Sequence, residues 1–90
     1  MIRSFPDKKT EGLFPGRMVR EFSGFRKAAE WKLTMLDDAP DLKDLLSLPG
    51  NRLEMVTRIG EYSIRIYDQK RMCFLWKALG PDEVEITDYH

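Results

Sequence analysis

The spacing of apolar side chains changes period about halfway along the chain. Between residues 25 and 36 they recur every three or four positions, which is the spacing of one face of an α-helix. These residues are Phe25, Ala29, Leu33 and Leu36, with Ala28, Trp31 and Met35 widening the stripe. From residue 52 onward apolar and polar residues alternate, as they do in strands with one buried face. The pattern therefore predicts helices first and a sheet after them.

The main helix is predicted to begin near Ser23 and to end before Pro40. Ser23 is the expected N-cap, because a serine hydroxyl can accept a hydrogen bond from the first helical turn. Ala39 precedes Pro40 and should avoid the helical conformation. We expect Trp31 and Met35 to lie in the core. The opposite side of the helix should be solvated and carries Arg26, Lys27, Glu30 and Lys32.

Shorter elements are predicted before and after this helix. Residues 2 to 5 form a strand candidate that Pro6 stops, and Asp7 is a candidate cap for a short helix that reaches Phe14. Residues 41 to 48 fit a short helical turn over the edge of the core. The N-terminal half should therefore supply a layer of helices.

A short run around Leu53 and Met55 is followed by three alternating runs, which together predict a β-meander. The predicted turns between the three runs are Asp68-Gln69 and residues 79 to 82. The face toward the helices should carry Tyr62, Ile64, Ile66, Met72, Phe74, Trp76, Val84 and Ile86. The opposite face should carry Arg65, Tyr67, Arg71, Cys73, Glu85, Thr87 and Tyr89. We expect one α+β domain over residues 1–90, an antiparallel β-meander sheet with N-terminal helices packed on one face.

Composition narrows the chemistry that this domain can perform. His90 is the only histidine and Cys73 the only cysteine, too few for a zinc site or a nucleophilic triad. The scattered glycines form no phosphate-binding loop, so we expect no metal and no cofactor. Cys73 lies in an apolar run and is expected to be an inert packing residue. No apolar stretch is long enough for a membrane helix or signal peptide, which predicts a soluble cytoplasmic protein.

Charge is balanced overall but uneven along the chain. Fifteen basic and fifteen acidic residues give a formal net charge of zero, which argues against strong non-specific binding to nucleic acid. Yet four aspartates between residues 37 and 44 precede a segment with many basic residues. These are Arg52, Arg58, Arg65, Lys70, Arg71 and Lys77. A local basic face is therefore compatible with the neutral total.

The predicted face opposite the helices carries two arginines beside two tyrosines. Arg65 and Arg71 can hold phosphates through the forked guanidinium, and Tyr67 and Tyr89 can stack on bases. A solvated sheet face with cross-strand ion pairs, such as Arg71 with Glu85, is the alternative, and the pattern alone favours it.

Several segments, in order, resemble the HigB branch of the RelE/ParE superfamily of bacterial toxins. The first are residues 1–5 and the helix from Ala28 to Asp37. The others are Gly50-Asn51-Arg52-Leu53-Glu54, Tyr62-Ser63-Ile64-Arg65-Ile66, Asp68-Gln69, Arg71-Met72-Cys73-Phe74 with Trp76, and Val84-Glu85-Ile86-Thr87-Asp88-Tyr89-His90. The resemblance spans nearly the whole chain, and the ordered combination is more specific than any one segment.

The resemblance implies a ribosome-dependent endoribonuclease that cuts messenger RNA and is neutralised by a HigA-like helix-turn-helix antitoxin. Operator DNA would be contacted only through the complex with that antitoxin. By position, Arg71 matches the arginine implicated in holding the scissile phosphate, and Asp88, Tyr89 and His90 match residues implicated in cleavage. We expect RNA contacts from Arg52, Arg58, Arg65, Tyr67 and Lys70.

Two departures from the family pattern keep other functions open. The segment between Glu54 and Tyr62 is shorter than usual and has lost a lysine, and Lys70 replaces an aromatic residue just before Arg71. One alternative is a non-enzymatic, ParE-like inhibitor associated with DNA gyrase. The other is an attenuated toxin that acts mainly as a corepressor with its antitoxin.

Overall fold

The computed structural model describes residues 1–13, 19–56, 59–67 and 69–88. Within them, helices α1 (Lys8–Leu13), α2 (Arg26–Asp38) and α3 (Leu42–Leu46) precede strands β1 (Glu54–Met55), β2 (Glu61–Tyr67), β3 (Lys70–Lys77) and β4 (Gly80–Asp88). Two 3₁₀ turns, Arg20–Phe25 and Pro49–Asn51, lead into α2 and toward β1. The four strands form an antiparallel meander in the order β1-β2-β3-β4. This confirms the predicted α+β class, and no helix of the described ranges is long and apolar enough to cross a membrane.

The core lies between α2 and one face of the sheet. Leu33 and Leu36 of α2 are fully buried, in one apolar cluster with Ile64 of β2 and Phe74 of β3. Burying each such side chain contributes roughly 1.5–3 kcal/mol to stability. Because side chains alternate along a strand, the strand residues that lie between the buried ones project from the other side of the sheet. We call that side the outer face; it carries Glu61, Ser63, Arg65, Arg71, Cys73, Glu85 and Thr87.

The predicted N-cap of α2 is wrong. Ser23 lies inside the 3₁₀ turn, and α2 begins at Arg26 after Phe25, which has no side-chain oxygen to accept a hydrogen bond. Phe22 is buried in this turn and its ring centroid lies 5.6 Å from that of Phe25. Burying aromatic rings contributes more than a cap worth about 1 kcal/mol, so the aromatic pair sets the start of the helix. The predicted end is confirmed, since α2 stops at Asp38.

The predicted burial of Trp31 and the predicted exposure of Lys32 are both wrong. Trp31 is 61% exposed, whereas Lys32 is only 9% exposed. At 3.6 residues per turn, Trp31 lies about 160° from the centre of the buried stripe and Lys32 about 60° from it. The Lys32 ammonium instead donates a hydrogen bond to Asn51 Oδ1 in the second 3₁₀ turn, over 2.5 Å. A lysine assigned to solvent therefore links α2 to the segment before the sheet.

The N-terminal segment lies along the outer edge of β4. The strand predicted over residues 2 to 5 is not a regular strand, but Arg3 N donates to Pro81 O over 2.8 Å and Val84 N to Ser4 O over 2.9 Å. Asp7 caps α1 as predicted, since its Oδ1 accepts a hydrogen bond from Thr10 N over 3.2 Å. The Thr10 hydroxyl accepts a further hydrogen bond from Ile86 N over 3.1 Å.

Candidate nucleic-acid interface

Arg71 occupies the centre of the outer face. It lies on β3, directly opposite Arg65 of β2 on one side and Thr87 of β4 on the other. Its side chain is buried, with the residue only 5% exposed. The predicted catalytic arginine is thus held inside the sheet face rather than extended into solvent.

Hydrogen bonds that Arg71 donates to two segments fix the orientation of its guanidinium. Nε donates to Ser63 Oγ over 2.8 Å, and Nη2 donates to Ser63 O over 3.1 Å and to Arg52 O over 2.6 Å. The carboxylate of Glu54 lies 4.0 Å from Nη2. Glu85, considered from the sequence as a cross-strand partner, lies opposite Cys73 and diagonal to Arg71 on the same face. Hydrogen bonds of this kind orient a planar cation without neutralising it.

One of the predicted RNA-binding residues, Arg65, extends this site along β2. Arg65 is half-buried beside Arg71, whereas Tyr67 is 60% exposed and lies opposite Lys70, beyond a break in the strand register. Like charges directly opposite each other in a sheet repel, so an anion that bridges Arg65 and Arg71 would be stabilised there. Because opposite residues of paired strands share a face, the register shift places Tyr67 with Lys70, and the prediction that Tyr67 lies on the outer face is wrong.

Lys70 lies on the other side of the sheet from Arg71. Its Nζ is 5.7 Å from the centroid of the Phe25 ring, which belongs to the helix layer. It also lines a surface cavity of about 400 Å³ with Asp7, Lys9 and Glu21. The structure therefore does not bring Lys70 together with the arginines of the outer face, because adjacent residues of a strand point to opposite faces.

The other predicted site residues lie near the ends of strands or outside the described part of the chain. Arg52 is exposed, has a left-handed backbone with φ 45°, and contributes its carbonyl to Arg71. Asp88 is the last residue of β4 and lies opposite Lys70. Arg58, Tyr89 and His90 lie outside the described residues.

Acidic side chains share the outer face with the arginines. Burial raises the pKa of the Cys73 thiol, with smaller upward contributions from Glu61 and Glu85 and a downward one from Arg71. Burial likewise raises the pKa of Glu85, with help from Asp7, Glu61 and Glu83. The thiol is therefore protonated near neutral pH, consistent with the packing role expected of Cys73. Across the ranges that the structure describes, no group of three His, Cys, Asp or Glu could hold a metal ion.

Sequence reasoning missed Ser63 as a partner of Arg71 and missed the buried pair of Lys32 and Asn51. Ser63 supplies two of the acceptors of Arg71, and Lys32 and Asn51 form a buried hydrogen bond just before Arg52. The position of Ser63 could have been found, since Ser63 and Arg65 are two residues apart on a strand and therefore share a face. The place of Asn51 depends on a tertiary contact that periodicity does not report.

No family model matches this chain, and no curated protein matches it. What the structure itself defines is a small α+β fold whose antiparallel sheet carries a buried, hydrogen-bonded arginine on the face away from its helices.

Proposed function

We propose that this chain is a HigB-type toxin of the RelE/ParE superfamily that cleaves messenger RNA on the ribosome, in the cytoplasm. A helix-turn-helix antitoxin holds it inactive, and the complex of the two contacts operator DNA through the antitoxin. Two features support the proposal: the α+β meander that the resemblance implies, and an arginine at the position that the resemblance marks as catalytic.

The observation that carries the proposal is the fixed orientation of Arg71. Its Nε and Nη2 atoms donate to Ser63 and to Arg52 O, so the guanidinium is held before any ligand arrives. Preorganised positive charge stabilises a transition state because it needs no rearrangement at the moment of reaction. Arg65, directly across from Arg71, adds a second cation for the phosphate.

The proposed reaction is attack by a ribose 2′-hydroxyl on the adjacent phosphorus. The 2′-oxygen bonds to phosphorus, the bond to the 5′-oxygen of the next nucleotide breaks, and a cyclic phosphate and a 5′-hydroxyl result. Arg71 stabilises the phosphorane, and His90 or Tyr89 accepts the 2′ proton and supplies one to the leaving oxygen. In support, β4 runs through Asp88, one residue beyond the position opposite Arg71, and Tyr89 and His90 follow it in sequence.

The test is to map messenger RNA ends in bacterial cells after induction of the wild-type chain, without antitoxin. We expect cuts within translated frames, and Arg71→Lys, which keeps the charge but loses the fork, should reduce their rate by about 10²–10³-fold. Removal of His90 should also reduce cleavage. Arg20→Lys, at an exposed arginine outside the sheet, is the matched control and should cut normally.

Two other outcomes would each overturn cleavage as the activity. Growth arrest with intact messenger RNA and damaged DNA would point to a ParE-like action on gyrase. Absence of growth arrest from a folded, expressed chain would leave the corepressor as the function.

The corepressor is the second candidate because of how Arg71 is covered. Its side chain is buried by protein contacts, and Glu61 and Glu85 place negative charge on the same face. Such a face binds RNA less strongly than a face of basic residues alone. Binding of operator DNA by the complex with antitoxin, without toxicity of the free chain, would support this function.

A further inference from the structure

A buried polar pair joins α2 to the segment before β1. Asn51 is fully buried; its Nδ2 donates to Leu45 O over 3.1 Å and to Met35 Sδ over 3.4 Å. Its Oδ1 accepts the hydrogen bond from Lys32 Nζ, and its backbone N donates to Leu48 O over 3.0 Å. The Asn51 amide therefore has partners on α2 and α3, which fixes its position from several directions.

The residue that follows Asn51 has an unusual backbone. Arg52 has φ 45° and ψ 57°, the left-handed conformation that side-chain-bearing residues seldom adopt. Such a conformation persists only where the surrounding structure imposes it. In this chain it accompanies the 2.6 Å hydrogen bond from Arg71 Nη2 to the Arg52 carbonyl.

Within the described residues, the hydrogen bonds of Arg71 lead to Ser63 and to Arg52, and the Glu54 carboxylate lies 4.0 Å from Nη2. Ser63 belongs to β2, which pairs with β3 and so stays in register with Arg71. The Arg52 carbonyl comes from the segment that Asn51 anchors, outside the pairing of β2 with β3. Loss of the anchor would leave the Ser63 contacts of Nε and Nη2 in place but remove the shorter Nη2 bond to Arg52 O, so fewer hydrogen bonds would resist rotation of the guanidinium.

We infer that Asn51, held by Lys32, is a positioning residue for Arg71, because it sets the Arg52 backbone whose carbonyl orients the guanidinium. Its consequence for RNA cleavage rests on the proposed function, whereas its effect on Arg71 does not. The hydrogen bonds that the structure describes for Asn51 lead to α2, to α3 and to Leu48, so Asn51 and Lys32 act on Arg71 through Arg52.

The direct test measures how fast the Arg71 guanidinium rotates about its Nε–Cζ bond, by nuclear magnetic resonance on nitrogen-15-labelled protein. In the wild type we expect slower rotation than for exposed Arg20. Asn51→Ala should make Arg71 rotate at least about tenfold faster, because a charge-assisted hydrogen bond is lost. Lys27→Met, at an exposed lysine on α2, is the control and should change nothing.

Two substitutions at Arg52 separate the effect of its backbone conformation from the effect of losing its side chain. Arg52→Gly accepts the left-handed conformation and keeps the carbonyl, so Arg71 should rotate as slowly as in the wild type. Arg52→Val disfavours that conformation and should act like Asn51→Ala. If Asn51→Ala fails to fold, Lys32→Met replaces it, because it removes only the ammonium and keeps the length of the side chain.

Three results would each overturn the inference. One is Arg71 rotation in the wild type as fast as that of Arg20. Another is unchanged rotation in a folded Asn51→Ala or Lys32→Met protein. The third is equal rotation in Arg52→Gly and Arg52→Val.

A cleavage assay links the inference to the reaction. Asn51→Ala should lower kcat about tenfold and change KM much less, because the orientation of Arg71 matters most in the transition state. A wild-type chain that never cuts RNA would contradict the proposed function, while the rotation measurements would still decide the role of Asn51.

Discussion

Glu85 is a residue whose charge opposes both stability and RNA binding. Burial and the neighbouring carboxylates Asp7, Glu61 and Glu83 raise its pKa above the usual 4.5. The folded protein therefore holds the proton more tightly than the unfolded chain does. The stabilising contribution of Glu85 is complete below pH 4.5 and is lost as the pH rises through the folded-state pKa.

Glu85→Gln should therefore be more stable than the wild type near neutral pH. The difference in melting temperature should shrink as the pH falls below 4.5, where the wild-type carboxyl is protonated in both states. Thermal unfolding over a pH series measures this. Glu11→Gln, which removes the same charge from an exposed site on α1, is the control. A Glu85→Gln protein less stable than wild type at neutral pH would contradict the prediction.

At the same scale, periodicity predicted the apolar residues better than the polar ones. The buried positions of Ala29, Leu33 and Leu36 follow from helical spacing, whereas Trp31, which we counted among the residues that widen the stripe, is exposed. Trp31 was misassigned because its residue type was weighed above its position. Arg71 was placed on the correct face, but its burial was not foreseen, because tertiary contacts such as the one with the Arg52 carbonyl are not visible in the alternation of a strand.

At the scale of elements, a buried hydroxyl links α1 to β4. Thr10 is fully buried and accepts the hydrogen bond from Ile86 N on the outer edge of the sheet. Thr10→Val keeps the shape but leaves that buried amide without this acceptor, which should cost about 1–3 kcal/mol. Urea unfolding should show a lower midpoint at an unchanged slope, and the Ile86 amide should exchange faster.

Thr34→Val is the matched control for Thr10→Val. The Thr34 hydroxyl donates to Glu30 O over 3.0 Å at an exposed site on α2. Its loss should change stability by less than about 0.5 kcal/mol. Equal destabilisation by the two substitutions would mean that burial of the Thr10 hydroxyl is not the cause.

The sequence predicted the bounds of those elements in which apolar and polar residues alternate over many positions. The hairpin was expected at Asp68-Gln69, and β2 ends at Tyr67 while β3 begins at Lys70. Alternation over seven or eight residues leaves few other registers, because a slip by one residue would expose every buried side chain. The segment at residues 2 to 5 has too few positions for such a pattern, and its place depends on β4.

At the scale of the whole molecule, zero net charge limits how RNA can be bound. Long-range attraction is weak, so affinity has to come from the few cations of the outer face. If Arg52, Arg65 and Arg71 each contact one phosphate, log Kd should change with log salt concentration by a slope of about 2 for single-stranded RNA. A protein with a large basic surface would show a much steeper dependence.

Fluorescence anisotropy of a labelled single-stranded RNA, over a series of salt concentrations, measures this slope. Arg65→Ala should reduce it by about 0.7, the value for one phosphate contact. Arg20→Ala, at an exposed residue before α2, should leave it unchanged. A slope near zero, or equal effects of the two substitutions, would argue against binding by the outer face.

The N-terminal segment along β4 also bears on aggregation. An uncovered strand edge offers its backbone groups to other chains and can start the growth of fibrils. Here the backbone of Arg3 and Ser4, together with the Thr10 hydroxyl, occupies such positions along a nine-residue strand. Detachment of the first ten residues would expose that edge to a second copy of the chain. We therefore expect the N-terminal segment to protect the folded protein against self-association.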